Sequence, residues 1–356
     1  MSILNDIEKI RAADPENMYN RIFDLPEQMA DAVRISTGWE ISANDFADIK
    51  NIVIVGMGGS AIGGDLVRTF LSSKLQIPFE VCRNYAVPEY VDDETLVVAS
   101  SYSGNTEETL SALDDALRRK AMIAAISTGG LLSDVSSLND FPVALIPAGL
   151  QPRAALGYSC VPLLMFLEKI GLIKNVGDEL NEVIKELKKL REQYIEDVVV
   201  AENPGKQLAE KIYGRIAIVY SGPTLTDAVA LRWKGQICEN SKNLAFANHY
   251  PEFNHNELVG WSQVVEKHAD HLIVIQLRDQ DDHPQVAKRM DIVKGLIEKQ
   301  KVEVYDVRSS GRTPLTRIFS LIQLGDFASY YLAVLNEVDP TPVEVIETLK
   351  KMLAEK

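Results

Sequence analysis

Five short runs follow one another in the first half of this chain, each the length of a strand and mostly free of polar interruption: NIVIVG (51–56), PFEVCRN (78–84), TLVVASS (95–101), AMIAAIST (121–128) and FPVALIP (141–147). A strand that is apolar on both sides has to be covered on both faces, which is the condition of a parallel sheet with helices above and below it. Helical patterns fill the intervals, so the expected class is α/β, a doubly wound and mainly parallel sheet. The alternation then resumes with RIAIVYSG (215–222), HLIVIQLR (271–278) and VEVYDVR (302–308), and the chain closes on helical patterns near 315–336 and 341–354. The second half repeats the architecture of the first.

Between the halves, Leu180, Val183, Ile184, Leu187, Leu190 and Tyr194 recur at helical spacing in a charged background, the signature of amphipathic helices. At 356 residues the chain is long for one core, given roughly 100 to 200 residues per domain. The expected division is therefore 1–160 for amino-terminal helices and a first lobe, 161–212 for a helical connector, and 213–356 for a second lobe with the carboxy-terminal helices. A faint echo, SYSGNT at 101–106 and VYSGPT at 219–224, fits a duplication.

The net charge of −14 and the lack of a Lys/Arg cluster leave no electrostatic footprint for nucleic acid, so any anion must be held by a local site. The amino-terminal MSILNDIEKIRAADPENMY is polar and amphipathic, and no apolar stretch approaches roughly 18 residues, so neither export nor a membrane span is expected and the cytoplasm is the expected location. Cys82, Cys160 and Cys238 are odd in number and far apart, unlike a disulfide framework or a zinc site.

Two turns stand out. IVIVGMGGSAIGGD runs from strand to glycine-rich turn to helix, and the unsatisfied N–H groups of such a helix start favour anions. Gly56, Gly58 and Ala61 also fit a dinucleotide pattern, with Glu80 near the place of a ribose-binding acid, a weak signal by itself. The second turn, SSYSGNTEET (100–109), presents Ser101, Ser103 and Thr106 around a glycine directly after an apolar strand. In a parallel sheet, ligands collect at the carboxyl ends of the strands, so both turns would meet at one pocket. Gly58, Gly59 and Ser60 with Ser101, Ser103 and Thr106 would then surround a compact dianion with neutral donors, which suits a phosphate monoester. The plain alternative is two tight turns with helix caps, Thr106 and Glu108 opening a helix.

For proton chemistry the candidates are Glu239 and His255 in LRWKGQICENSKNLAFANHYPEFNHNELVGW. A carboxylate could shuttle a proton between adjacent carbons of an open-chain sugar, and an imidazole could serve the ring oxygen. Taken alone, a residue such as Glu239 is more often a solvated helix carboxylate than a base, and His255 is open to the same plain reading. HYPEFNHNE is polar and broken by proline, which predicts a loop. His249, His255 and Glu257 match no familiar metal spacing.

SSYSGNTEET resembles the phosphosugar-binding signature of sugar isomerase (SIS) domains. GMGGSAIGGD, SYSGNTEET, LQPRAALGYS, ICENSKN, FNHNELVGW and LGDFASYYLAVLNEVDPTPVEVIETLK, in that order from 56 to 350, are similar to the bifunctional phosphoglucose/phosphomannose isomerase family. The resemblance implies two SIS-type lobes and an aldose–ketose isomerase acting on hexose 6-phosphates without metal or redox cofactor. It assigns Gly58, Gly59, Ser60, Ser101, Ser103 and Thr106 to the phosphate and Arg153 to the charge of a cis-enediolate. Glu239 becomes the base, and His255 the ring-opening group donated across a homodimer. Lys350, or its neighbour Lys351, assists ring opening or positioning. Thr341 is the candidate for admitting mannose as well as glucose epimers, although a hydroxyl before Pro342 also fits a helix cap. The competing readings are a phosphosugar sensor without turnover, the isomerase part of an aminosugar synthase, whose nucleophilic cysteine near the chain start has no counterpart before Cys82, and a nucleotide-dependent oxidoreductase.

Overall fold

A computed structural model describes residues 2–262 and 266–355. The chain forms two compact units, one of Asp24–Lys188 with Gly311–Phe319, the other of Met1–Phe23, Lys189–Ser310 and Ser320–Lys356. Each is built on one parallel sheet.

In the first unit, β1 (Asn51–Gly56), β2 (Phe79–Cys82), β3 (Thr95–Ser100), β4 (Met122–Ser127) and β5 (Val143–Leu145) lie in the order β2-β1-β3-β4-β5. The register pairs Val53 with Val97 and Gly56 with Ser100. Strand side chains alternate between faces. Val53, Val55, Val97, Ala99, Ile123 and Ala125 turn one face onto Ala112, Leu113 and Ala116 of the helix Glu107–Arg118. On the other face Ile54 meets Gly64 of the helix Gly58–Leu71, where a Cβ would stand 3.1 Å from Ile54 Cγ2. Both faces are covered, as the uninterrupted apolar runs require.

In the second unit, β6 (Ile216–Ser221), β7 (Ala245–His249), β8 (Leu272–Arg278) and β9 (Glu303–Arg308) lie in the order β7-β6-β8-β9. Tyr220, Phe253, Trp261, Val274, Met290 and Val293 belong to one buried cluster, which includes the inner face of the helix Pro284–Glu298. The strand β7 is a feature that the sequence pattern concealed. It is an edge strand paired with β6, half-exposed and carrying Asn248 and His249, so its composition reads as loop. The expected loop HYPEFNHNE is corrected accordingly: its first residue ends β7, and Glu252–His255 form a 3-10 turn.

The division at 160 and 212 also differs from the observed units. Leu4, Ile10, Met18 and Ile22 are buried within the unit that holds the second sheet. There the fully buried Lys206 donates from Nζ to Leu4 O (2.6 Å) and Glu196 O (2.7 Å), and Arg11 pairs with Glu196. Burial lowers Lys206 to about 8. The connector resolves into three helices, Leu156–Lys169, Val176–Arg191 and Pro204–Ile212, assigned to the two units rather than standing apart. Its apolar stripe is buried as the spacing predicts, at Leu180, Val183, Leu187, Leu190 and Tyr194. Against the expectation that no apolar stretch approaches this length, one helix among the described residues, Pro314–Leu335, is long and apolar enough to cross a membrane, and 89% of its apolar window is buried inside the protein as a core helix is. Cys82, Cys160 and Cys238 are free thiols.

Candidate active site

The order of the first sheet reverses between β1 and β3, and a doubly wound sheet binds its ligands in the crevice at that reversal. The turns after β1 and β3 both open there. Gly56, the last residue of β1, has no room for a side chain, since a Cβ would lie 2.8 Å from Ser100 O. Gly58 follows with φ of 50°, in the left-handed region where glycine is at ease. Helix Gly58–Leu71 begins there with no side chain capping it; Ser60 N and Ala61 N donate to Met57 O (3.1 and 3.3 Å), while the N–H groups of Gly58 and Gly59 lie ahead of the first intrahelical bond, at the end of the helix that favours an anion.

Side chains tie the two turns together. Ser60 Oγ accepts from Tyr102 N (3.0 Å), and Ser100 Oγ donates to Ser60 O (3.2 Å). Ser101 Oγ and Thr106 Oγ1 are 2.9 Å apart and hydrogen-bonded. Thr106 stands at the cap position of helix Glu107–Arg118, yet its side chain makes no capping bond. The capping explanation therefore fails for this hydroxyl, which is turned to its neighbour across the turn. Ser101 is buried and Ser103 exposed, with Ser103 Oγ accepting from Asn105 N (3.2 Å).

Arg153 belongs to the same unit. It is buried, in the 3-10 turn Pro152–Ala154. Gly59 makes this placement possible: a Cβ there would stand 2.5 Å from the Pro152 carbonyl carbon and 2.8 Å from Arg153 N. The resemblance implies Gly59 as a phosphate donor, and the close backbone approach is by itself a reason for glycine at this position. Tyr102, which the sequence reading passed over, is a further brace. Its hydroxyl donates to Pro147 O and accepts from Leu150 N, both at 2.9 Å, fixing the segment that leads to Arg153.

Glu239, His255, Thr341 and Lys350 all fall in the second unit. Glu239 is half-buried on the helix Asp227–Ser241 and lines a cavity of about 530 Å³ with Cys238, Lys242, Val338, Asp339 and Pro342 among others. That helix is keyed to Pro314–Leu335 by a polar stripe at i, i+4 and i+8. Arg232 and Gln236 donate to the Asp326 carboxylate (2.6 and 2.8 Å), and Asn240 donates to Ser329 Oγ (3.0 Å). Trp233 Nε1 donates to Leu321 O (2.9 Å), and Gly325 leaves room for the indole. Burial pushes the Asp326 carboxyl up, with Arg232 and Gln236 opposing.

Thr341 is buried, and its N–H donates to Asp339 Oδ1 (2.8 Å). It is not the helix cap, because the carboxy-terminal helix is Glu344–Ala354 and its cap is Val343. Lys350 and Lys351 are exposed on that helix, and His255 is exposed at the end of its 3-10 turn. Neither His255 nor Lys350 lines the Glu239 cavity. Glu257 accepts from Tyr220 Oη and from Asn248 Nδ2 (2.7 Å). Burial, reinforced by Glu257, drives the Tyr220 phenol well above its ordinary range, so this carboxylate is committed to a buried hydroxyl. Among the described residues no group of three or more His, Cys, Asp or Glu side chains is placed to hold a metal ion.

Comparisons with known proteins bear on the family and the fold. Residues 45–168 match the SIS domain family, and residues 201–353 match the bacterial phospho-glucose isomerase C-terminal SIS domain. The chain is 50% identical to the bifunctional phosphoglucose/phosphomannose isomerase of Caldicellulosiruptor bescii, covering 95% of this chain and 99% of that one. It is 37% identical to the protein of the same name from Aquifex aeolicus, covering 88% and 94%. A crystal structure of a hypothetical protein from Thermus thermophilus shares the fold with a TM-score of 0.72 at 16% identity, covering 98% of this chain and 94% of that one.

Proposed function

This chain belongs to the bifunctional phosphoglucose/phosphomannose isomerase family, and from that premise we propose that it interconverts glucose 6-phosphate and mannose 6-phosphate with fructose 6-phosphate. The observation that carries the reading is the joining of two donor-rich turns at the first sheet's reversal, with the Thr106 hydroxyl withheld from the helix it could cap. Neutral hydroxyls and helix N–H groups suit a phosphate dianion, and a held phosphate orients the rest of the ligand.

The chemistry needs only proton transfer. In the open-chain aldose, the Glu239 carboxylate takes the C2 proton while the electron pair forms the C1–C2 double bond and charge moves to O1. The resulting cis-enediolate is stabilised by the fixed Arg153 guanidinium, which keeps its own proton. Return of the proton to C1, with the C2 hydroxyl proton passing to O1, yields the ketose. Carbon 2 is planar in the enediolate, so glucose and mannose 6-phosphates meet in one intermediate. The face on which C2 is reprotonated decides the epimer, and Thr341 biases that choice. His255 assists ring opening from the partner subunit of a homodimer, and Lys350 aids the same step. The enzyme works in the cytoplasm.

The test is Glu239→Gln. Turnover should fall by about 10² to 10⁴-fold while fructose 6-phosphate still binds, measured by a coupled assay and by calorimetry. Retention of turnover would remove Glu239 from the role of base.

A further inference from the structure

Among the described residues, Lys242 is the one basic residue on the wall of the Glu239 cavity, and its role follows from its bonds. It terminates the helix Asp227–Ser241 in the left-handed conformation, with φ of 51°. From there its Nζ donates to three main-chain oxygens, those of Glu239 (3.0 Å), Asn240 (3.4 Å) and Asp339 (2.6 Å). An ammonium group carries three donors and no acceptor, so each proton has one carbonyl. Two of those carbonyls belong to the last turn of the helix that bears Glu239, where a positive charge is favoured by the helix dipole. The third belongs to the 338–343 segment, ninety-seven residues away in sequence. In that segment the Asp339 side chain in turn accepts from Thr341 N at 2.8 Å.

We propose that Lys242 is a positioning residue that fixes the base Glu239 and the epimer-selecting segment around Thr341 in one frame. The inference rests on the functional reading given above. These three bonds to main-chain oxygens join two stretches of chain, which is the work of a residue that sets where others sit. Nothing in the helix itself can substitute, because the carbonyls of a last turn have no intrahelical donor. A neutral side chain of similar length would remove the bond to Asp339 O, leaving Asn336 Nδ2 to Ser241 O (2.9 Å) as a tie from the helix end to the chain just before the 338–343 segment.

The experiment compares Lys242→Met and Lys242→Arg with the native enzyme, taking kcat and KM for glucose 6-phosphate and mannose 6-phosphate separately, beside thermal unfolding. Misplacement of reacting groups by about 1 Å lowers rate by up to about 10²-fold. Lys242→Met is therefore expected to lose about tenfold to a hundredfold in kcat and to alter the ratio of kcat/KM between the two aldoses by at least about threefold, with the KM of fructose 6-phosphate nearly unchanged. Lys242→Arg, which keeps charge and donors, should recover most of the rate. Native kcat and native epimer ratio in Lys242→Met would overturn the proposal. So would a uniform loss on both aldoses that tracks lowered unfolding temperature and persists in Lys242→Arg. Glu239→Gln run in parallel separates the two readings. If it stays active, the base is misassigned and Lys242 has nothing to position. If it is inactive while Lys242→Met is native in rate and ratio, the Lys242 inference fails and the functional reading stands.

Discussion

Gly59→Ala adds one methyl group at the point where the glycine-rich turn after β1 touches the segment carrying Arg153. The new Cβ would be 2.5 Å from the Pro152 carbonyl carbon, and ordinary contact begins near 3.4 Å, so 3.4 minus 2.5 leaves about 0.9 Å to be found. The obstructing atoms are backbone, and no rotamer change can supply the space. Overpacking of this kind costs about 1 to 3 kcal/mol, which is met either by lost stability or by a shift of Pro152 and Arg153. If Arg153 stabilises the enediolate as proposed, a shift of nearly 1 Å in its guanidinium lowers kcat by up to about 10²-fold, or about 2.7 kcal/mol of barrier. Alanine keeps the N–H, so phosphate affinity should change little. The assay is steady-state kinetics in the direction of fructose 6-phosphate consumption, with unfolding monitored alongside. Gly58→Ala is the control. A Cβ there has no neighbour within 4 Å, and its cost is the left-handed backbone alone, about 1 to 2 kcal/mol. Native kcat in a folded Gly59→Ala enzyme would refute the coupling of this glycine to Arg153. A rise in KM with unchanged kcat would place its role in phosphate binding instead.

Thr106→Val should raise KM for all hexose 6-phosphates by about tenfold to a hundredfold, the loss of one hydrogen bond to a charged group, and Thr106→Ser should restore it; an unchanged KM would free this hydroxyl from the phosphate. Asp326→Ala removes the carboxylate that Arg232 and Gln236 face in the interior, and chemical denaturation should report a loss of about 3 to 5 kcal/mol. Co-expressed Glu239→Gln and His255→Ala subunits should regain about a quarter of native sites if His255 crosses between subunits of a dimer, whereas independent sites would give none. Lys206 has its folded pKa lowered to about 8 from 10.5 by burial. The unfolded chain then binds more protons between those values, so the Lys206 contribution grows as pH rises from about 8 to 10.5. The stability gap between native protein and Lys206→Met, read from denaturation at pH 7.5 and 9.5, should widen with pH.

Strands buried on both faces were legible because their apolar runs leave no other environment for them. β1, β3, β4, β6 and β8 fall where the runs lie, and so do the edge strands β2, β5 and β9. The edge strand β7 was not, because an edge needs only one paired side and tolerates Asn248 and His249 near its end. The turns holding Ser60, Ser101 and Thr106 could be read from spacing. What spacing could not convey is that Thr106 would decline to cap its helix, that Gly59 would be pressed against Pro152, or that Tyr102 would brace the approach to Arg153. Each depends on contacts between segments remote in sequence. The grouping of residues 2–23 with the second sheet was hidden for the same reason, since an amphipathic helix does not reveal which apolar face it will cover. Lys242 was visible only as part of ICENSKN, and its meaning lies in a carbonyl ninety-seven residues away.

The echo between SYSGNT and VYSGPT fits a duplication less well than the topology does. Taken in chain order, the first sheet reads second, first, third, fourth, fifth strand, and the second sheet repeats that order without the last. β8 is therefore the counterpart of β3, and the counterpart of the 101–106 turn is the one after Arg278. The echo instead sets 219–224, at the end of β6, against a turn that follows β3, which are not equivalent positions. The true counterpart reads DQDDH. There Asp279 N donates to Asp282 Oδ2 (2.8 Å) and Asp281 N donates to Asp279 Oδ1 (2.9 Å), so two N–H groups that could have met an anion are spent on carboxylates. Gly222, just past the end of β6, faces Asp282 Oδ1 so closely that no Cβ would fit between them. Asp279 and Asp282 stand in this turn with Arg278 and Arg308 beside them, so a dianion entering it would meet carboxylates where the first crevice offers hydroxyls. Two crevices of one design thus diverge in electrostatics, and this difference supports the proposed seat of the phosphate on the turns that carry Ser60, Ser101 and Thr106.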